Sequence, residues 1–294
     1  MLLLPNASSL YTQHISQENS GGLSPSLWRH MTTGTAAPDG NGGGLWFGDD
    51  FDKFAGLTAA GGNLTFPDAT GLTIGGYHGY VDATGSILSL AGVTGGGVRI
   101  TTHTTNADNV TMSTGELLQV SDTAGDEKLT IFECRVAWPQ VATGSTYIGL
   151  ADPVAKVILG VTHTDLINTA SGIGFMVKDA ASSTLDFVYQ ATASTATTDG
   201  MAALVVEPTI AGSTTTLVAT TYYKLGFIYN PRAEPAKRIA IYVDNVEQST
   251  YVTATQISNA VFPDAEYMGL QASCVGDGAV RTMDIDWWAI YQEG

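Results

Sequence analysis

The sequence has few charged residues, and basic residues are the scarcest of them. Charged residues make up 14% of the 294 residues, and 28 Asp and Glu outnumber 12 Lys and Arg, giving a formal net charge of −16. Nucleic-acid binding depends on Lys and Arg contacts to phosphate, and anionic membranes repel an acidic protein. We therefore expect neither nucleic acid nor membrane as a partner.

Cysteine is almost absent. Cys134 and Cys274 each lie on the apolar phase of a strand-like run, which indicates two buried thiols that act as small hydrophobic residues. A disulfide between them is the alternative, but it requires a geometry that sequence cannot supply. A chain of this length buries a core large enough to need neither a disulfide nor a metal for stability.

Long apolar runs are also missing. The apolar residues 1–4 are followed by Pro5 and Asn6, whereas a membrane span needs about 20 apolar residues. A signal peptide would need a basic start and a longer apolar stretch. These features predict a protein that is made in the cytoplasm and kept there until it is assembled or released.

From Leu45 onward the pattern is that of short strands separated by Gly, Asp, Asn and Pro. The predicted strands are 71–80, 86–90, 97–102, 116–120, 128–138, 145–151, 157–162, 172–178, 184–190, 201–207, 222–230, 238–243, 247–253, 267–274 and 280–292. One short helix is predicted, at 254–260. Many short strands without intervening helices predict an all-β fold, an antiparallel two-sheet sandwich over residues 45–294.

Residues 1–44 differ from the rest and predict an extended N-terminal arm. Isolated large apolar residues interrupt a polar sequence, and the arm ends in a Gly-rich stretch, 40–44, that predicts a hinge. Disordered tails are poor in aromatic residues, so we predict a strap that orders against a partner. The predicted partner-binding residues are Leu10, Tyr11, Ile15, Leu27 and Trp28. The alternative is an arm that packs on its own domain or is disordered.

No catalytic residue is predicted. Asp284 and Asp286 share a strand face, as the paired carboxylates of glucanases do, but Thr282 and Trp287 stand where flanking glutamates would be needed. The five histidines are scattered without metal-ligand spacing. We expect no cofactor and no enzymatic activity.

One acidic cluster is a weak metal candidate. Asp49, Asp50 and Asp52 offer carboxylate oxygens that Ca²⁺ accepts, although such a cluster more often marks a charged edge that blocks strand addition. We keep the cluster only as a weak candidate and expect no metal site.

The adjacent Trp287 and Trp288 predict one ring on each face of a sheet. One of them must therefore point away from the core. A Trp on the outer face of a sheet serves as a sugar platform or a subunit contact, unless the chain's own loops cover it.

Four stretches resemble the concanavalin A-like (lectin/glucanase) jelly roll, in particular the versions found in structural proteins of tailed-phage virions. They are the opening run 45–54, the run 130–138 continuing into 147–152, the pair 222–229 and 238–245, and the closing pair 267–272 and 283–290. The resemblance covers residues 45–292 in order and implies that the closing strands return beside the opening strand.

The resemblance implies a non-enzymatic virion structural protein, most specifically a capsid decoration or cement protein that binds the assembled shell through its arm. The implied partners are the major capsid protein or another virion protein, and further copies of the chain as a dimer or trimer. The implied location is the virion, after synthesis in the host cytoplasm. An alternative is a carbohydrate-binding adhesin module of a tail fibre or spike, with glycan as its partner. A glycoside hydrolase is a third and weaker alternative.

Overall fold

The protein is a sandwich of two antiparallel sheets. Its structure is a computed structural model that describes residues 23–28, 45–51, 72–74, 77–81, 85–90, 96–104, 108–123, 125–140, 144–153, 171–177, 185–191, 217–264 and 266–294. The described strands are β1 (Leu45–Asp49), β2 (Leu72–Ile74), β3 (Tyr77–Val81), β4 (Ser86–Ser89), β5 (Val98–Thr101), β6 (Asn109–Ser113), β7 (Leu118–Val120), β8 (Thr130–Ala137), β9 (Ser145–Ala151), β10 (Gly172–Val177), β11 (Leu185–Gln190), β12 (Tyr222–Tyr229), β13 (Ile239–Val243), β14 (Val246–Val252), β15 (Glu266–Val275) and β16 (Thr282–Gln292).

The strands form two eight-stranded sheets. The first sheet has the order β14-β13-β12-β8-β16-β5-β4, and the second has the order β11-β10-β9-β15-β6-β3-β2 with β7 paired to β15. In the first sheet β1 also pairs with β16, from Leu45 opposite Gln292 to Asp49 opposite Trp288. The closing strand thus lies beside the opening strand, as the resemblance implied, and the all-β sandwich prediction is confirmed.

The main core fills the space between the sheets, and strand alternation selects its members. On β8, Phe132 and Cys134 point into this core while Ile131 joins a second apolar cluster on the outer face. Cys134 and Cys274 are free and fully buried, and burial raises the pKa of the Cys274 thiol to about 12. The prediction of two buried thiols is therefore confirmed.

The last strand, β16, contains a β-bulge that changes which face its side chains occupy. The pairing of β16 with β8 shifts between Ile285 and Trp287, so Asp286 is the extra residue of the bulge. Ile285 points into the main core before the bulge, and Trp288 does so after it. Trp287 lies in the second cluster. The prediction that the two tryptophans lie on opposite faces is confirmed.

Strand β6 was not predicted although its sequence alternates. Val110 and Met112 lie in the main core and alternate with the polar Asn109, Thr111 and Ser113, which are buried as well. The predicted strand 71–80 is a hairpin of β2 and β3, with Leu72 opposite Gly79. The predicted strands 157–162 and 201–207 lie outside the described residues.

The helices of the described residues are short. They are α1 (Pro25–Trp28), a 3-10 helix (Pro235–Lys237) and α2 (Ala254–Ile257). A capping box starts α2: the Gln256 N–H donates to Thr253 Oγ1, and the Thr253 N–H donates to Gln256 Oε1 at 2.8 Å. None of the helices in these ranges has the length or the apolar run that crossing a membrane requires.

Candidate functional site

The outer face of the first sheet divides into two parts, which we call the covered half and the open half. The covered half is the second apolar cluster together with the buried Glu133. The cluster consists of Leu27, Trp28, Leu129, Ile131, Ile228, Tyr242, Trp287, Ala289 and Tyr291. The open half holds the charged and phenolic side chains at the other end of the same strands, namely Arg99, Arg135, Tyr222, Lys224, Asp284 and Asp286.

The covered half is closed by the N-terminal segment 23–28. Leu27 of this segment is fully buried, and Trp28 is 8% exposed. A Cβ at Gly226 on β12 would lie 2.5 Å from Leu27 Cδ1, so only glycine leaves room for the leucine. The segment therefore fits the sheet face closely and shields its apolar side chains from water.

A buried carboxylate anchors the segment. The Ser24 N–H donates to Glu133 Oε2 at 3.0 Å, and the Trp28 indole N–H donates to the same oxygen at 2.5 Å. The Ser24 hydroxyl donates to Glu133 Oε1. Burial raises the pKa of Glu133, and the hydrogen bonds from Ser24 and Trp28 oppose that rise. Because a buried carboxylate needs donors, Glu133 and the segment depend on each other.

These contacts locate the predicted arm residues. Leu27 and Trp28 pack on the chain's own sheet, which is the alternative considered for the arm, so neither is free to grip a partner in this conformation. Leu10, Tyr11 and Ile15 lie outside the described residues. Trp287, whose exposure was an open question, is fully buried in the same cluster. The chain itself therefore covers the outer-face tryptophan.

The open half is built from two Arg–Asp pairs. Arg99 binds Asp284 with two hydrogen bonds of 2.6 Å each, from Nε and from Nη2. Arg135 donates from Nη1 to Asp286, whose side chain is fully buried. Burial raises the pKa of Asp286, and the Arg135 charge and hydrogen bond oppose that rise. Asp284 and Asp286 are thus each held by a guanidinium.

Tyr222 provides the aromatic surface of the open half. The guanidinium carbon of Arg135 lies 4.4 Å from the centre of the Tyr222 ring, which is a cation–π distance. The ring is half-buried, and burial, followed by the charges of Asp284 and Asp286, raises the pKa of Tyr222 to about 12. The phenol is therefore neutral at physiological pH and can donate a hydrogen bond.

The two carboxyl groups of the open half are both engaged. A carboxyl group that acts as general acid or nucleophile must be free to meet the substrate. The Asp284 oxygens both accept from Arg99, and Asp286 is buried against Arg135. Planar guanidinium groups and a phenol on an open sheet face are suited to hydrogen bonding and stacking.

Asp49, one of the three weak metal candidates, supports the local fold. Asp49 Oδ1 accepts the Phe51 N–H at 2.7 Å, and Oδ2 accepts the Tyr77 hydroxyl at 2.6 Å. The first bond supports Phe51 at a φ of 60°, a left-handed conformation that bulky residues rarely adopt. Among the residues that the structure describes, no three His, Cys, Asp or Glu side chains converge as metal ligands. Asp52 lies outside those residues.

Sequence reasoning missed several residues of this face. Glu133 and Arg135 stand on the outward phase of a strand whose other phase is apolar, and this was the signal that could have marked them. Their partners Ser24, Trp28 and Asp286 are more than 100 positions away in the chain. No local pattern connects such residues.

The sequence matches no family model and no curated protein. Among solved structures it is similar to peanut lectin in complex with a nine-residue peptide, with 12% identity, a TM-score of 0.49, and coverage of 85% of this chain and 97% of the lectin. The Emp47p carbohydrate recognition domain shows 6% identity, a TM-score of 0.47, and coverage of 76% of this chain and 91% of that domain. A carbohydrate esterase from the Shiga toxin-encoding bacteriophage phi24B shows 15% identity, a TM-score of 0.39, and coverage of 74% of this chain and 91% of the esterase. At these identities the likeness concerns the fold alone.

Proposed function

We propose that the chain is a non-catalytic carbohydrate-binding protein and that the open half is its glycan site. The observation that carries the proposal is the half-buried Tyr222 ring, held against Arg135 at 4.4 Å beside the doubly bonded Arg99–Asp284 pair. Sugar rings present apolar C–H faces that stack on aromatic rings and hydroxyl groups that need hydrogen bonds. The open half offers both.

Preorganisation supports the proposal. The Arg99 side chain is 43% exposed although its partner Asp284 holds it by two bonds, so donors reach the solvent in a fixed orientation. Groups that are already ordered lose little entropy when a ligand binds. A flexible surface Arg would lose more conformational entropy on binding the same ligand.

The test is a glycan array followed by calorimetry on the best ligand. We expect the Tyr222→Ala variant to bind about tenfold or more weakly, a loss of ~1.4 kcal/mol or more. The matched control is Tyr267→Ala, which removes a tyrosine that is 59% exposed on β15 of the second sheet. The control should bind like the unmodified protein.

Two outcomes would overturn the proposal. One is an array without a reproducible hit for the unmodified protein, neutral and acidic glycans included. The other is a hit that Tyr267→Ala abolishes and Tyr222→Ala leaves intact, because the glycan would then lie on the second sheet.

The virion decoration role is kept as a second proposal. Leu27 and Trp28 are buried on the chain's own sheet, so in this proposal the shell contact falls to Leu10, Tyr11 and Ile15 of the arm. Its measurement is binding to purified phage shells, which Tyr222→Ala should not weaken if the arm makes the contact.

A further inference from the structure

The covered half is a complete binding site for a short peptide. It offers apolar contacts to Leu27 and Trp28, a carboxylate for Ser24 and Trp28, and the Asn245 carbonyl, which accepts from the Ser26 hydroxyl at 3.0 Å. Left empty, it would expose Trp287 to water and take away the three donors that Glu133 has from Ser24 and Trp28. Such a site strongly favours an occupant.

The occupant makes contacts that can be separated from the rest of the fold. The hydrogen bonds of Ser24, Ser26 and the Trp28 indole described above go to the first sheet or to the turn that follows β13. The Leu27 and Trp28 N–H groups both donate to Ser24 O within the segment, whereas the Ser24 N–H donates to Glu133 of the sheet. The site therefore recognises six residues and does not depend on which copy of the chain supplies them.

The segment is also connected by a long piece of chain. Sixteen residues, 29–44, separate it from β1. A stretch of that length spans at most about 58 Å when extended. This reach exceeds the roughly 36 Å length of β16, the longest described strand at 11 residues, so the length of the connection does not confine the segment to its own sheet.

We propose that segment 23–28 docks in trans, and that exchange of this segment between copies is how the chain self-associates. Exchange of an identical element is a low-cost route to dimers, because every contact of the closed monomer is kept. A segment tethered to its own site competes at an effective concentration on the order of 1 mM. Self-association is therefore weak in dilute solution and strong where copies are crowded on a surface.

Directed disulfide formation tests the exchange. The donor carries Leu27→Cys, and the recipient carries Gly226→Cys with Leu27→Ala and Trp28→Ala, which disable its own segment. The native Cys134 and Cys274 are buried and do not compete. A chain with both Leu27→Cys and Gly226→Cys confirms that the two positions can be bridged.

We expect a disulfide-linked heterodimer whose yield rises with concentration and exceeds a collision control by about tenfold. The control recipient carries its cysteine at the exposed Ser249 on β14 instead of at Gly226. Yields equal to that control, with the double-cysteine chain closing only within itself, would overturn the proposal.

Sedimentation equilibrium gives a second readout that does not need the recipient to fold. Near 1 mM, the unmodified protein should self-associate and Trp28→Ala should not, whereas Tyr222→Ala should behave like the unmodified protein. A monomer at that concentration, or association that survives Trp28→Ala, would contradict exchange. Because Tyr222→Ala affects only the glycan site, failure of either proposal leaves the other testable.

Discussion

The covered and open halves are built on the same strands and solve the problem of an exposed sheet face in opposite ways. In the covered half β8 and β16 contribute Ile131 and Trp287, and a segment of the chain shields them. In the open half the same strands contribute Arg135 and Asp286, which pair with each other. One half is covered by peptide, and the other stays partly exposed and is organised by its two Arg–Asp pairs.

The difference shows that being on the outer face does not decide what a residue does. Glu133 and Arg135 are two positions apart on β8, and both point away from the core. Glu133 holds the segment through Ser24 and Trp28, whereas Arg135 stacks on Tyr222. We therefore expect substitutions in the covered half to affect stability and those in the open half to affect binding.

The largest expected effect is the difference in unfolding free energy between an alanine substitution in the covered half and one in the open half. Trp287→Ala should lower the free energy of unfolding by about 4 kcal/mol, because it leaves a large cavity in a fully buried cluster. Tyr222→Ala, at a half-buried position, should cost about 1 kcal/mol. Urea denaturation measures both. Trp287→Phe keeps most of the packing, so its loss of unfolding free energy should fall between those of the two alanine variants. Equal losses for the two alanine variants would contradict the distinction between the covered and open halves.

The second prediction compares the two ion pairs of the open half. Arg135→Met should destabilise the protein by about 3 kcal/mol, because it leaves the fully buried Asp286 without its counter-charge. Arg99→Met should cost no more than ~1 kcal/mol, because the Arg99 side chain is 43% exposed. Thermal and chemical unfolding check the order. If Arg99→Met proved the costlier change, the burial of Asp286 would not explain the difference.

The third prediction is a pH dependence. Burial raises the pKa of Glu133 in the covered half and of Asp286 in the open half, so the folded state holds these protons at pH values where the unfolded state has released them. The free energy of unfolding should therefore fall as pH rises from the ordinary carboxyl range through the raised pKa, by at most ~1.4 kcal/mol per pH unit for each group.

Denaturation curves between about pH 4 and pH 8 measure this slope. Glu133→Gln and Asp286→Asn should each flatten it, whereas Glu116→Gln, at an exposed position, is the matched control. A slope that both buried-site variants leave unchanged would show that other groups cause it.

Prediction from the sequence succeeded where the information was local. Strand 145–151 coincides with β9, and Cys134 lies in the main core, as the apolar phase of its run predicted. Strand β6 was missed although Val110 and Met112 alternate there with polar residues. The roles of Glu133 and Tyr222 were not predicted, because their partners are far away in sequence.

By itself the sequence determined the all-β class, the positions of most strands along the chain, and the placement of Trp287 and Trp288 on opposite faces. These follow from side-chain alternation along an extended backbone, which needs no knowledge of distant residues. Only the tertiary structure decided that Leu27 and Trp28 cover Trp287 and that Arg135 pairs with Asp286. The physical reason is that a sheet brings together residues separated by more than 100 positions, and pairing and burial are properties of those neighbours.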